Sequence, residues 1–182
     1  GLTNVSSAAD GASGPSMAWQ GTQLFVAWES RQPGAQEVNL RHWNGSAWSA
    51  VQQVSSTAGM AATPKLASNG TKTVLTWLDQ RPVDPANFHG RESLYATVWN
   101  GSAFVEEVPG EASGGGVARA VEAPRSLSVA LDSAGTIQTA WSDDASRGIS
   151  LIHRQQPLTV RVQGPVERCP AFSAARHSVP AV

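Results

Sequence analysis

Short runs of alternating apolar and polar residues, separated by turn signals, cover most of the chain. The clearest region predicts four strands in succession, over residues 64–67, 72–77, 93–99 and 104–108. Asn69-Gly70 and Asn100-Gly101 lie between neighbouring runs, and Asn-Gly between two extended segments is the strongest short hairpin signal. Four strands joined in this way form one antiparallel sheet, which is the repeating unit of a β-propeller.

The same unit recurs along the chain. Residues 15–28 match residues 64–77 without a gap, and Trp43-Asn-Gly-Ser-Ala-Trp48 matches Trp99-Asn-Gly-Ser-Ala-Phe104. A weaker third copy covers residues 123–153, and prolines recur at the starts of the units, at Pro15, Pro64, Pro124 and Pro180. A period of roughly 50 residues is typical of propeller arrays. We therefore predict an all-β chain, a β-propeller segment of about three four-stranded antiparallel blades.

The repeat also predicts the organisation of the chain. Residues 1–13 would hold the outer strand of a preceding or closing blade, since residues 2–7 parallel residues 51–56. Three blades and a tail follow, over residues 14–56, 57–110, 111–166 and 167–182. Known propellers have roughly 4 to 8 blades, so three cannot close a ring. The chain is then either a fragment of a larger propeller or completes its ring with another copy.

The connections between predicted strands differ at the two ends of each sheet. The Asn-Gly turns all fall at one end. The other end carries the longer polar connections, residues 29–36, 78–92, 142–148 and the crossover 109–123. Long polar loops on one face of a rigid scaffold are where binding usually occurs. We therefore expect a ligand to meet this long-loop face.

Composition excludes several other classes of function. The net charge is −1, so there is no basic surface that would favour nucleic acid. No apolar stretch reaches about 18 residues, so no membrane span is expected. The single cysteine, Cys169, precludes an internal disulfide, and it shows no metal-ligand spacing with His42, His89 or His153. No metal or cofactor is predicted, and we expect the protein to be secreted or on a cell surface.

The repeated pattern Trp-x-acid-x-Arg, followed by Trp-Asn-Gly-x-x-Trp, resembles bacterial sialidase-like (BNR-type) propeller repeats. The similarity covers residues 2 to about 160. The Trp-x-Gly-x-x-Trp part also resembles the repeats of fucose-binding propeller lectins. These families include exo-glycosidases, lectins and non-catalytic surface proteins. The resemblance therefore implies a propeller with a carbohydrate-related role, without specifying catalysis.

An acid and an arginine follow the second-strand tryptophan of each copy. The pairs are Glu29 with Arg31, Asp79 with Arg81, and Asp143 with Arg147. A cluster of arginines can hold a ligand carboxylate through bidentate hydrogen bonds, and the sialidase resemblance implies such a cluster. The alternative is that each acid fixes its own loop or pairs with an arginine of the same or next blade. We favour this second interpretation, because a residue repeated in every blade usually serves the blade.

Aromatic residues flank the Asn-Gly turns, at Trp43, Trp48, Trp99 and Phe104. Their faces could stack on sugar rings, or they could pack across each hairpin as cross-strand pairs. The packing interpretation is favoured, since they lie beside the turns and away from the long loops.

Three functional hypotheses remain. The leading one is a non-catalytic binding or structural module with a glycan or protein ligand and no catalytic residue. The alternatives are part of a sialidase-like glycoside hydrolase, or a homo-oligomeric propeller lectin. Glycoside hydrolysis needs two carboxylates about 5 to 9.5 Å apart. The candidates for such a pair are Glu29, Asp79, Asp84, Asp143 and Asp144.

Overall fold

The computed structural model describes residues 3–7, 11–32, 35–55, 59–81, 92–119, 124–143 and 148–154. The elements in these residues are all β-strands, arranged in three antiparallel sheets that follow one another along the chain. We call these sheets blades 1, 2 and 3. The predicted all-β class is confirmed.

Each blade is an up-and-down sheet in which neighbours along the chain are neighbours in space. Blade 1 has the order β1 (Ala12–Gln20), β2 (Gln23–Gln32), β3 (Ala35–Trp43), β4 (Gln52–Gln53). Blade 2 has the order β5 (Ala61–Ser68), β6 (Thr73–Asp79), β7 (Ser93–Trp99), β8 (Phe104–Val105). The described strands of blade 3 are β10 (Pro124–Leu131), β11 (Ile137–Asp143) and β12 (Gly148–Arg154). A short extra strand, β9 (Ala118–Arg119), pairs with β7 at the long-loop end of blade 2 and was not predicted.

The Asn-Gly turns form as the sequence predicts, and the asparagine side chain closes each one. Asn44 Oδ1 accepts hydrogen bonds from the N–H groups of Ser46 and Ala47 at 2.9 Å. Gly45 has a φ of 102°, which lies in the left-handed region that glycine tolerates without strain. The Asn100 turn repeats this geometry, so turn chemistry accounts for the repeated Asn-Gly-Ser sequence.

The middle strand of blade 2 is buried on both faces, as predicted for a strand between neighbouring blades. Leu75 and Trp77 point towards blade 1, whereas Val74 and Leu78 point towards blade 3. All seven residues of β6 are buried. Alternation along the strand therefore divides the apolar side chains between two blade interfaces.

The first strand of every blade contains a bulge with a left-handed residue. These residues are Gly14, Thr63 and Ser126, with φ values of 57°, 52° and 56°. The register shifts at the same place in β1, β5 and β10. A bulge inserts one unpaired residue and bends the strand locally. This repeated feature was not visible in the sequence, because three different residue types occupy the position.

The bulge corrects the alignment of the third copy. Pro15 and Pro64 directly follow the left-handed residue, but in blade 3 that place is taken by Leu127. Pro124 pairs with Asp143 in the way that Ala61 pairs with Asp79, so it lies three residues earlier in the register. The prediction that Pro124 is equivalent to Pro15 and Pro64 is wrong.

Other predicted features differ from the structure or lie outside it. Residues 3–7 contain no strand, so the predicted outer strand over residues 2–7 is wrong in its described part. The predicted long connection 29–36 is wrong as well, since β2 and β3 stay paired as far as Gln32 and Ala35. The predicted fourth strand of blade 3, over residues 160–166, lies outside the described residues.

Candidate ligand-binding cleft

The sheet register places the predicted acids on different faces. Glu29 comes one residue after Trp28 and pairs with Ser13 in β1. Asp79 comes two residues after Trp77 and pairs with Ala61 in β5. Because side chains alternate along a strand, these two carboxylates point in opposite directions relative to their tryptophans. The acids of the first two copies therefore do not occupy equivalent positions in their blades.

Glu29 holds blade 1 against blade 2. Its Oε1 accepts a 2.8 Å hydrogen bond from the N–H of Thr63, at the bulge of β5. Its Oε2 accepts hydrogen bonds from Ser13 Oγ at 3.2 Å and Gln36 Nε2 at 3.1 Å. The side chain is buried and its oxygens are occupied. Arg31, its predicted partner in ligand binding, is exposed on the adjoining part of β2.

Asp79 and Arg81 form an ion pair within blade 2. Arg81 Nε donates to Asp79 Oδ2 at 2.6 Å, and the two side chains are only 9% and 0% exposed. Burial raises the pKa of Asp79, although the Arg81 hydrogen bond and charge act in the opposite direction. Gly59 packs against this pair, since a Cβ there would lie 1.9 Å from Asp79 Oδ1. These contacts hold the side chains of Asp79 and Arg81 in place within blade 2.

The guanidinium of Arg81 is fixed on two further sides. Its Cζ lies 3.9 Å from the centroid of the Tyr95 ring, and Nη1 donates to the carbonyl oxygen of Ala112. Stacking on an aromatic face stabilises an arginine that is withdrawn from solvent. Arg81 is therefore held rigidly, with one nitrogen, Nη2, directed away from these partners.

The third predicted pair is only partly described. Asp143 occupies the β11 position that is equivalent to Asp79 in β6. Arg147 lies outside the described residues.

The aromatic candidates pack against other rings, either within blade 1 or between blades 1 and 2. Trp43 and Trp48 face each other across an isolated bridge, with ring centroids 5.8 Å apart. Trp99 is 8% exposed and lies between Phe25 and His42, with centroids at 5.0 and 4.9 Å. Burial lowers the pKa of His42. Trp99 therefore belongs to the core, and its ring is not available for stacking on a sugar.

A cleft of about 580 Å³ lies between blades 1 and 2. Blade 1 contributes Gln52 and Gln53 of the outer strand β4, and Ser55 after it. Blade 2 contributes residues from β7, β8 and the long-loop end, among them Arg81, Thr97 and Phe104. The sequence singled out Arg81 and Phe104, but no motif marks Thr97 or the blade 1 residues, because their meeting depends on how two blades stack.

Two polar groups that line this cleft are buried without a hydrogen-bond partner among the described residues. They are Arg81 Nη2 and Thr97 Oγ1, and Thr97 is 4% exposed. A buried polar group left unsatisfied costs about 1–3 kcal/mol, so almost all such groups in proteins are paired with protein, water or ligand. Arg81 and Thr97 therefore each keep an unused hydrogen-bonding capacity beside the cleft.

Glu106 shapes the rim of the cleft. Its carboxylate accepts hydrogen bonds from the N–H groups of Gly110 at 3.0 Å, Ala112 at 2.6 Å and Ser113. Burial alone would raise the pKa of Glu106, but these N–H groups outweigh it and lower the pKa to about 2. The side chain is therefore ionised at neutral pH and holds the loop after β8 in place.

Two other features that often indicate function are absent from the described residues. No group of three or more His, Cys, Asp and Glu side chains converges among them. None of their elements is a helix long and apolar enough to cross a membrane.

No protein-family model matches the chain, and a comparison with curated proteins finds no match either. Among solved structures, it is similar to an exo-β-1,3-galactanase from Clostridium thermocellum. The identity is 14% and the TM-score 0.52, over 84% of this chain and 36% of that one. It also matches the arabinanase Arb43A of Bacillus subtilis, at 15% identity and a TM-score of 0.46, over 79% of this chain and 53% of that one.

This chain is therefore much shorter than the structures it matches, spanning about a third of the galactanase and half of the arabinanase. At such low identity the likeness is informative about the fold alone. The galactanase is a β-propeller enzyme, and the stacked four-stranded sheets described above have the same arrangement. The chain is a partial β-propeller.

Proposed function

We propose that this chain is a non-catalytic propeller module that binds a glycan in the cleft between blades 1 and 2. The observation that carries the proposal is the lining of that cleft, in which Arg81 and Thr97 each have a buried polar atom, Nη2 and Oγ1, without a hydrogen-bond partner among the described residues. The guanidinium can donate to ligand hydroxyls, and the threonine hydroxyl can both donate and accept. A sugar ring offers neighbouring hydroxyls that match this combination.

The rest of the lining suits the same ligand. Gln52 and Gln53 add side-chain amides, which both donate and accept hydrogen bonds. Phe104 adds an apolar ring surface, on which the C–H face of a sugar can pack. A few placed polar groups beside an apolar surface are typical of small-ligand sites. The cleft reaches the long-loop end of blade 2 at Arg81, which is where the sequence placed the binding face.

The state of the described carboxylates favours binding over hydrolysis. The candidate acids Asp84 and Asp144 lie outside the described residues. A glycosidase needs one carboxyl group as an acid and a second as a base or nucleophile. Glu29 and Asp79 are engaged in the contacts described above. Glu106 lines the cleft, but a pKa of about 2 makes it a poor proton donor at neutral pH. The sialidase-like resemblance and a secreted or cell-surface location form part of this proposal, as features of a glycan-binding propeller.

The test is a glycan array that includes β-1,3-linked galacto-oligosaccharides, followed by calorimetric titration of the best binder. Thr97→Val removes the unpartnered hydroxyl with little change of shape. It should weaken binding about tenfold, the equivalent of roughly 1.4 kcal/mol for a lost hydrogen bond. Folding should be unaffected, since that hydroxyl has no partner among the described residues.

Thr139→Val is the matched control. Thr139 is also a buried strand threonine, 3% exposed, but it lies in blade 3 and does not line the cleft. This variant should bind as tightly as the wild type. Binding of no glycan on the array, or equal affinities for wild type and Thr97→Val, would overturn the proposal.

A further inference from the structure

Three hairpin turns contain the sequence Asn-Gly, namely those of Asn44, Asn69 and Asn100. In each turn the asparagine Oδ1 accepts hydrogen bonds from two backbone N–H groups and one hydroxyl. At Asn100 the donors are the N–H and Oγ of Ser102 and the N–H of Ala103. The other two turns repeat these three bonds. In all three turns, therefore, donors are in place to stabilise negative charge that develops on Oδ1 when the side-chain carbonyl is attacked.

An Asn-Gly sequence allows the backbone to attack that carbonyl, because glycine has no side chain that shields its nitrogen. The glycine nitrogen attacks the asparagine Cγ, a C–N bond forms, and the nitrogen loses its proton to solvent. The bond from Cγ to Nδ2 then breaks, and the side-chain nitrogen leaves as ammonia. Water opens the resulting cyclic imide at one of its carbonyl groups, which leaves aspartate or isoaspartate. The rate depends on two nitrogens, the glycine N that attacks and the asparagine Nδ2 that departs.

Both of these nitrogens are held by hydrogen bonds in the turn of Asn69. The N–H of Gly70 donates to Ser68 Oγ at 3.1 Å. Asn69 Nδ2 donates to the carbonyl oxygen of Asp132 in blade 3 at 2.9 Å, so it also joins two blades. Each bond has to break before its nitrogen can react. The structure therefore protects this turn at both ends of the reaction.

The turns of Asn44 and Asn100 lack both bonds. The residue before each asparagine is a tryptophan, whose side chain offers no hydrogen-bond acceptor. Among the described residues, no partner is found for the Nδ2 of either asparagine or for the N–H of the glycine that follows it. Asn44 and Asn100 are also exposed, whereas Asn69 is half-buried. Asn100 is exposed although blade 2 has a described blade on each side.

We infer that Asn44 and Asn100 are sites of spontaneous deamidation and that Asn69 is protected from it by the fold. Water is the only co-reactant, and each modified turn gains a negative charge. Because two hydrogen bonds have to break first, Asn69 should react at least about tenfold more slowly than Asn100. The inference does not depend on the proposed ligand.

The test is to incubate the folded 182-residue chain at mildly alkaline pH and to follow each site by mass spectrometry of tryptic peptides. The three asparagines lie in separate tryptic peptides, residues 42–65, 66–72 and 92–119, and none of these peptides contains a second asparagine. Aspartate and isoaspartate should accumulate at Asn44 and Asn100, and at least about tenfold more slowly at Asn69. A folded chain in which Asn69 reacts as fast as Asn100, or in which Asn44 or Asn100 stays unmodified, would overturn the inference.

The same chain unfolded in urea is the control for the effect of local sequence. There the three asparagines should react at similar rates, and a difference that persists in urea would refute protection by the fold. Ser68→Ala removes the acceptor of the Gly70 N–H and should speed up the reaction of Asn69 about fivefold. In this variant Asn100 is the matched internal control, and its rate should not change.

Discussion

The two blade interfaces use the same backbone arrangement with different side-chain chemistry. Between blades 1 and 2 the apolar contacts form one large cluster with an aromatic centre. There the Phe25 ring lies 5.0 Å from that of Trp99 and 5.5 Å from that of Phe104. Between blades 2 and 3 the contacts divide into two smaller clusters, one around Leu78 and Trp141 and the other mainly aliphatic. Among the described residues, the first interface is therefore the one that is built around several aromatic rings.

The interfaces also differ at their long-loop ends. At the position directly after the second-strand tryptophan, blade 1 has Glu29 and blade 2 has Leu78. Glu29 binds the bulge of the next blade through a hydrogen bond to Thr63, whereas Leu78 packs beside Leu127 at the bulge of blade 3. A position in the repeat therefore fixes where a side chain points but not how it joins two blades. The proposed ligand cleft lies in the interface between blades 1 and 2, which is joined by this hydrogen bond.

The largest effect is expected from removing the aromatic centre of the first interface. Phe25 is 0% exposed, and Phe25→Ala should lower the free energy of unfolding by about 3–5 kcal/mol. The matched variant is Val74→Ala, because Val74 is the equivalent residue facing blade 3 and is also 0% exposed. It should cost only about 2 kcal/mol, since valine loses its methyl groups whereas phenylalanine loses a whole ring.

Denaturant unfolding followed by tryptophan fluorescence measures both values. If Val74→Ala destabilised the chain as much as Phe25→Ala, the two interfaces would contribute equally, and the contrast drawn above would be wrong.

The next largest effect is expected from replacing Glu29, the polar clamp that joins blade 1 to blade 2 through Thr63, by the apolar residue that blade 2 has at the same position. Glu29→Leu reproduces in blade 1 the residue that blade 2 has, but it leaves the N–H of Thr63 without its acceptor. A buried donor left unpaired costs about 1–3 kcal/mol, and the loss of this acceptor should lower stability by that amount. Glu29→Gln keeps a carbonyl oxygen and should cost less. Equal stability of the wild type and Glu29→Leu in urea would show that the clamp is dispensable.

A smaller, pH-dependent effect is expected from Glu106, beside the cleft. Its pKa is about 2 in the folded protein against an ordinary value of 4.5. The unfolded chain thus binds this proton more readily, and the carboxylate stabilises the fold fully above pH 4.5 and progressively less towards pH 2. Glu106→Gln should lower the Tm by a few degrees at neutral pH. The difference in Tm between Glu106→Gln and the wild type should shrink as the pH falls from 4.5 towards 2. A difference in Tm that stays constant over this range would contradict the low pKa of Glu106.

The sequence predicted the sheets better than it predicted the site, and particular residues show why. The four strands of blade 2 and the turns at Asn69 and Asn100 depend on local alternation and turn chemistry, which a short segment encodes. The acid-and-arginine pairs are not equivalent in space, because Glu29 and Asp79 differ by one position in the register, and one position reverses the face. Thr97 and Gln52 meet only through the stacking of two blades, so no local pattern identifies them.

The smallest effect is expected from Lys72, whose side chain lies at the turn end of the interface between blades 2 and 3. Lys72 Nζ lies 2.9 Å from Glu107 Oε1 and also donates to the carbonyl oxygen of Gly135 in blade 3, at 3.4 Å. The Lys72 and Glu107 side chains are 17% and 21% exposed, so water and salt screen the pair more than they screen the buried Glu29 contacts. A double-mutant cycle with Lys72→Met and Glu107→Gln should give a coupling energy of about 0.3–1 kcal/mol at low salt. The coupling should fall in about 1 M salt, where the screening length is near 3 Å. A coupling that exceeds the cost of Glu29→Leu would reverse this ranking, because it would make the partly exposed pair within blade 2 stronger than the buried hydrogen bond between blades 1 and 2.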